Sequence, residues 1–167
     1  MPETTHEYKT RVLSYTEGLD PLAVQAATPK KIARLLAKAS PARLRRRPAP
    51  GKWSPAEILA HLADCEVAFA WRYRNILGQP GAALQGFDQD AWAQRMRYAQ
   101  RAAKPSFEAF AALRAFNLAL LKSLTPADWK LEGIHSERGP ESVATTARMI
   151  AGHDLNHLRQ LEALLKT

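Results

Sequence analysis

Prolines and glycines cut this chain into blocks whose apolar residues recur at helical spacing, and no stretch shows the sustained alternation of a half-buried strand. An all-α fold is expected. A short block runs from His6 to Gly18. Thr28-Pro29 has the form of an N-cap with a first-turn proline, and Ile32, Leu35, Leu36 and Ala39 carry a first core helix to Pro41. Ser54-Pro55-Ala56-Glu57 combines a capping box with a first-turn proline, and Ile58, Leu62, Phe69, Tyr73, Ile76 and Leu77 extend a second helix to Gly78. Gly78 to Gly86 reads as a loop, after which Asp88 caps a short helical stretch holding Trp92, Met96 and Tyr98. A third core helix starts at Ser106, with Phe110, Leu113, Phe116 and Leu120 in its apolar set, and Thr125-Pro126 stops it. A loop spans Gly133 to Pro140, and a fourth helix runs from about Glu141 to Leu165. Four amphipathic helices with a long crossover between the second and third predict a four-helix bundle. Trp53, Trp71, Trp92 and Trp129 read as packing anchors.

At 167 residues, 46% of them hydrophobic, the chain suits one domain with its core over about residues 20–165. No apolar run reaches the roughly 20 residues that span a bilayer. The start, Met1 to Glu7, lacks the basic and apolar parts of an export leader, so a cytoplasmic protein without a membrane partner is expected. A single cysteine, Cys65, excludes an internal disulfide and leaves packing or another cross-link to hold the fold. The formal charge of +8 raises nucleic acid as a partner. Much of that excess, Arg43, Arg45, Arg46, Arg47 and Lys52, lies in a proline-punctuated stretch with no aromatic residue to stack a base. It reads as a solvated linker, and nucleic-acid binding is not expected.

The histidines carry the chemistry. His153 and His157 stand four apart, the spacing by which one helix offers two imidazoles to one metal, although two surface histidines can fall four apart by chance. His61 lies among Leu59, Ala60, Leu62 and Ala63, where a buried histidine needs a partner; a satisfied core histidine is the plainer reading. At 1.5 Å per residue His61 lies about 10 Å from the start of its helix, and His153 and His157 about 12 to 18 Å from the end of theirs. Antiparallel packing of the second and fourth helices brings all three to one level. Three histidines with no fourth protein ligand leave a position open to water or substrate, the mark of a catalytic metal. Cys65, four residues after His61, could close the site instead, or be a small buried hydrophobe.

The segments Gly51-Lys52-Trp53-Ser54-Pro55-Ala56-Glu57 through His61-Leu62-Ala63-Asp64-Cys65-Glu66, Phe87-Asp88-Gln89-Asp90-Ala91-Trp92, and Gly152-His153-Asp154-Leu155-Asn156-His157-Leu158 with Gln160 resemble the DinB-like (DinB/YfiT-like) metalloenzyme superfamily, over roughly Asp20 to Leu164. The resemblance implies an up-down-down-up four-helix bundle, with a short extra helix in the crossover, holding a divalent metal, most often zinc or nickel, on His61, His153 and His157. It further implies thiol-dependent transfer chemistry on a small-molecule substrate, with a low-molecular-weight thiol as co-substrate, and a homodimer.

No nucleophile is apparent among the chain's own residues, so an external thiol or a metal-activated water is expected, the latter serving a hydrolase equally well. A non-enzymatic metal-binding or interaction bundle is the remaining alternative. Glu57 and Asp64 share the helix face of His61 and could orient an imidazole or take a proton, and Asp154 sits where H-E-x-x-H proteases place a glutamate base; all three also suit caps or surface. Thr146, Met149 and Gln160 lie on the His153 face. His135, in the loop before the fourth helix, reaches substrate if that loop folds over the metal and is otherwise exposed. Arg72, Arg74 and Arg114 could bind the carboxylates of an anionic thiol, or serve as salt bridges within the bundle.

Overall fold

A computed structural model provides the structure, described for residues 4–165; Met1 to Glu3, part of the leader expectation, and residues 166–167 lie outside it. Seven helices form: α1 (Thr5–Ser14), α2 (Pro21–Leu36), α3 (Pro41–Arg45), α4 (Pro55–Gly78), α5 (Gln89–Arg95), α6 (Ala103–Lys122) and α7 (Val143–Leu165). Three short strands join them, β1 (Ala83–Leu84), β2 (Glu132–His135) and β3 (Gly139–Ser142).

Caps explain most boundaries. The Ser54 side chain accepts from the Glu57 amide while the Glu57 side chain accepts from the Ser54 backbone, and Pro55 opens α4 behind this box. Asp88 caps α5 as expected. The first core helix differs. Asp20 and Pro21 supply an earlier cap and first-turn proline, so α2 begins at Pro21 and both Thr28 and Pro29 fall inside it. The Thr28 hydroxyl donates to the Val24 carbonyl at 2.9 Å, one turn back, rather than capping. Similarly, α6 begins at Ala103, a turn before Ser106, and Glu141 belongs to β3.

Helix directions follow from what touches what. Gln25 donates to the Ala147 carbonyl and Ile32 packs with Leu158 and Leu161, so α2 and α7 run parallel. Leu59 and Leu62 meet Phe110 near the start of α4, and Tyr73 and Ile76 meet Leu121 near its end, so α4 and α6 also run parallel. Tyr73 against Val143 and His61 against His153 set α4 antiparallel to α7. The result is an up-down-down-up four-helix bundle of α2, α4, α6 and α7, with α5 in the crossover.

The loop expected over Gly133 to Pro140 is a hairpin. β2 pairs antiparallel with β3 and parallel with β1, in the order β1-β2-β3. Strands of two to four residues are too short for a period of two to register in sequence. Gly133 permits the close packing, since a Cβ there would lie 2.8 Å from the Leu84 side chain.

Two apolar clusters fill the bundle, one around Ile32, Leu59, Phe110 and Leu161, the other around Tyr73, Ile76, Leu121 and Val143. Between them runs a belt of buried polar groups, Gln25, Glu66, Arg114, Asn117 and Asp154. Trp71 and Phe116 are not core: they are 68% and 60% exposed on the outer faces of α4 and α6. The basic stretch forms the short helix α3, capped by Ser40, and Arg47 then turns inward to pair with Glu57, so only part of it is a solvated linker. No described helix is long and apolar enough to cross a membrane.

Candidate metal centre

The capped start of α4 fixes the register that turns His61 into the bundle, and antiparallel α7 brings His153 and His157 to its level. His153 Nε2 lies 2.9 Å from His61 Nε2 and 3.0 Å from His157 Nε2. All three are buried. The Trp53 ring covers His61 with centroids 4.8 Å apart. His157 Nδ1 donates to the Gln160 amide oxygen at 2.8 Å, which leaves the His157 Nε2 lone pair facing its neighbours.

Burial pushes the pKa of each imidazole down, with the neighbouring rings adding to the effect at His61 and His153; His157 falls to about 4. The rings are therefore neutral near pH 7, the form that binds a metal. With neutral rings and the His157 proton on Nδ1, only one of the two contacts at His153 Nε2 can be a hydrogen bond, whichever tautomer His61 adopts. A cation resolves this conflict. The edges of a tetrahedron at zinc–nitrogen distances of 2.0–2.1 Å are about 3.3 Å long, close to the two separations that meet at His153 Nε2. The donor set fits a divalent ion.

Cys65 Sγ is 3.5 Å from His61 Nε2 and 4.0 Å from His153 Nε2, and these three donors all lie within 4.8 Å of one another, while His157 reaches the group through His153. Burial and the Glu66 carboxylate push the thiol well up, so Cys65 stays protonated unless a cation displaces the proton. Two donor sets thus share His61 and His153, with His157 or Cys65 as the third member.

Of the other residues singled out in sequence, Gln160 orients His157. Glu57 serves the capping box and Arg47, and Asp64 pairs with Arg101 at 3.0 Å; neither orients an imidazole. Asp154 is bound by Arg114, and Arg114 binds Glu66 as well, Nη2 to Oε1 at 2.7 Å. This buried ion network occupies Arg114 and removes it as a ligand-binding group. Arg74 donates to the Ala70 carbonyl and lies over the exposed Phe116 ring. Glu66 was not anticipated, although its place in the series Leu62, Glu66, Phe69, Tyr73 put an acid on the apolar face of α4. Thr146 is buried with no partner for its hydroxyl among the described residues. His135 is not an exposed loop residue; the hairpin buries it.

A cavity of about 390 Å³ opens on His61, Cys65 and His153, walled by Phe69, Phe87 and Met149. A second, of about 730 Å³, opens on His157 and Gln160 beneath Trp53. Tyr8 of α1 and Gln89 of α5 border both. Among the described residues, the cavity walls beside the histidines carry the carboxylate of Glu137 on one side and that of Asp90 on the other.

Comparison with known proteins agrees with the four-helix-bundle fold. The family model described as the DinB superfamily matches residues 26–161. A protein of Oceanobacillus iheyensis named "putative metal-dependent hydrolase" is 25% identical over 116 residues, covering 70% of this chain and 67% of that protein. The solved structure of YfiT from Bacillus subtilis, titled "a probable metal-dependent hydrolase with an unusual four-helix bundle topology", superposes with a TM-score of 0.81 at 17% identity. That match covers 98% of this chain and 88% of YfiT.

Proposed function

Because the chain belongs to the DinB superfamily, we propose that it is a divalent-metal-dependent enzyme of hydrolytic type, holding zinc or nickel on His61, His153 and His157. The observation that carries this reading is the succession of three neutral imidazole nitrogens in steps of no more than 3.0 Å, with one cavity opening on His61 and His153 and a second on His157. The name of the Oceanobacillus iheyensis relative supports the hydrolytic class. An ion held there supplies Lewis acidity and lowers the pKa of water or of a thiol.

The chain's own residues do the rest. Gln160 holds the His157 tautomer, and burial keeps all three rings unprotonated. Trp53 and the apolar walls exclude bulk water from the ring faces. With Glu57, Asp64 and Asp154 committed to arginines, the carboxylates that border the cavities, Glu137 and Asp90, are the groups placed to take a proton from a substrate or solvent.

Thiol transfer is the second reading. The second cavity favours it, since it offers room for a co-substrate on the His157 side, with Arg11 and Lys52 on its wall for an anionic thiol.

Metal content of untagged protein, compared with His61→Ala and His157→Ala, tests the site. About one equivalent of zinc or nickel in the wild type, lost in both variants, is expected. Wild type that is metal-free and takes up neither ion would overturn the proposal. A turnover screen of esters and amides against electrophiles supplied with a low-molecular-weight thiol then separates hydrolysis from transfer.

A further inference from the structure

Arg72 is a buried cation without an ion-pair partner among the described residues. Only 5% of its surface is exposed, yet among the described residues no carboxylate lies within ion-pair distance of its guanidinium. Nη2 donates to the Gln85 carbonyl at 2.8 Å, and the Phe69 and Phe87 rings lie 4.8 and 5.6 Å from its central carbon. These contacts fix its position without neutralising it. The carboxylates that face it are Glu137, at the cavity rim, and Glu141. Glu141 is taken by Arg138 through two hydrogen bonds of 2.6 and 2.9 Å, and by Lys9 at 3.4 Å. Burying an uncompensated guanidinium is costly, and proteins place one where a ligand supplies the missing charge.

His135 lies on the same cavity wall and is 2% exposed. Its Nδ1 accepts from the Glu137 amide at 3.1 Å, so the neutral ring carries its proton on Nε2. That Nε2 has no hydrogen-bond partner among the described residues. A buried donor left unmade is expensive unless something else accepts from it.

We propose that Arg72 and His135 form an anion-recognising subsite in the cavity beside the histidine cluster, selecting substrates that carry an anionic oxygen group, a carboxylate or a phosphate. The guanidinium offers a planar donor pair, and His135 adds a single unpartnered N–H from the same cavity wall. This deepens the proposed function by naming its substrate class and rests on that reading for the identity of the ligand as a substrate, but the subsite itself is built without the metal.

Its test therefore uses chelator-treated protein, so that a probe cannot bind an ion instead. The probes are propionate, inorganic phosphate and, as a neutral isostere of the first, propionamide, followed by the nitrogen and proton resonances of the His135 ring. Propionate or phosphate should shift the Nε2–H signal, and which of the two does so identifies the group selected. Arg72→Met should weaken anion binding about 10-fold to 100-fold, the range of a charge-assisted hydrogen bond. Arg72→Lys should recover part of the loss. His135→Asn keeps an acceptor for the Glu137 amide and removes the Nε2–H, and should weaken binding about 10-fold. Circular dichroism of each variant establishes that it folds. An unmoved His135 signal at saturating anion, equal affinity in wild type and Arg72→Met, or equal binding of propionamide would each overturn the subsite. None of these outcomes touches the metal stoichiometry, which tests the proposed function separately.

Discussion

Arg114 Nη1 donates to the backbone carbonyl of Gln25 at 3.0 Å, and Pro29 is the reason that carbonyl is free. In a regular helix the amide of residue 29 would bond the carbonyl of residue 25, but proline has no amide proton. The interior proline of α2 thus opens an acceptor inside the bundle, and the guanidinium that also binds Glu66 and Asp154 fills it. This junction joins α2, α4, α6 and α7 directly beneath the histidines.

Arg114→Met leaves Glu66 and Asp154 buried with no cation. The variant should lose about 3–5 kcal/mol, the cost of breaking a buried pair from one side. Urea unfolding of the metal-free protein checks this, and a loss below about 1 kcal/mol would show the network to be dispensable.

Cys65 and His157 compete for the third place in the donor set. Cys65→Ser should keep the full metal complement, whereas His157→Ala should lose it. Gln160→Ala should lower affinity about 10-fold, by releasing the ring it orients. Competition against a chromogenic chelator measures all three. Full retention in His157→Ala with loss in Cys65→Ser would exchange their roles.

Metal-free protein should lose stability in mild acid. Burial holds His157 at about 4, so the unfolded chain takes up its proton near the ordinary histidine value while the folded chain does not. The unfolded state then binds more protons, and stability falls as pH drops from about 6.5 toward 4, by about 3 kcal/mol from this residue. Thermal melts across that range, with His157→Gln showing a shallower decline, provide the check.

How much of this was legible depends on the range of the signal. The start of α4 was readable because Ser54, Pro55 and Glu57 determine a cap within four residues. Because the rise per residue is constant, the spacing of His61, His153 and His157 along their helices brings the three to one level once α4 and α7 pack antiparallel. Pro29 misled because its role is tertiary: what allows it inside α2 is Arg114, 85 positions away in the chain. Likewise the burial of His135 depends on Ala83 and Leu84 adding a parallel strand, which no short window of sequence contains.

Gly152 marks where α1 docks on α7. A Cβ there would lie 2.0 Å from the Val12 carbonyl oxygen, so Gly152→Ala must push α1 away. A cost of about 1–3 kcal/mol is expected. Because Tyr8 of the same helix borders both cavities, faster proteolytic cleavage within residues 5–14 should accompany it. Unchanged stability and cleavage would show that α1 is not anchored at this point.

His61 and His153 are 92 residues apart. An ion that joins them ties α4 to α7 across most of the chain, much as a disulfide would in a protein that has a second cysteine to spare. Closing a loop of that size withdraws about 4–5 kcal/mol of freedom from the unfolded ensemble in the chain-entropy description, and mass action adds to it as free ion rises above its dissociation constant. Unlike a disulfide, this tie is undone by a chelator or by acid and remade without an oxidant. If the proposed ion is held there, the loaded chain would open less often and meet proteases less often than the same chain without it.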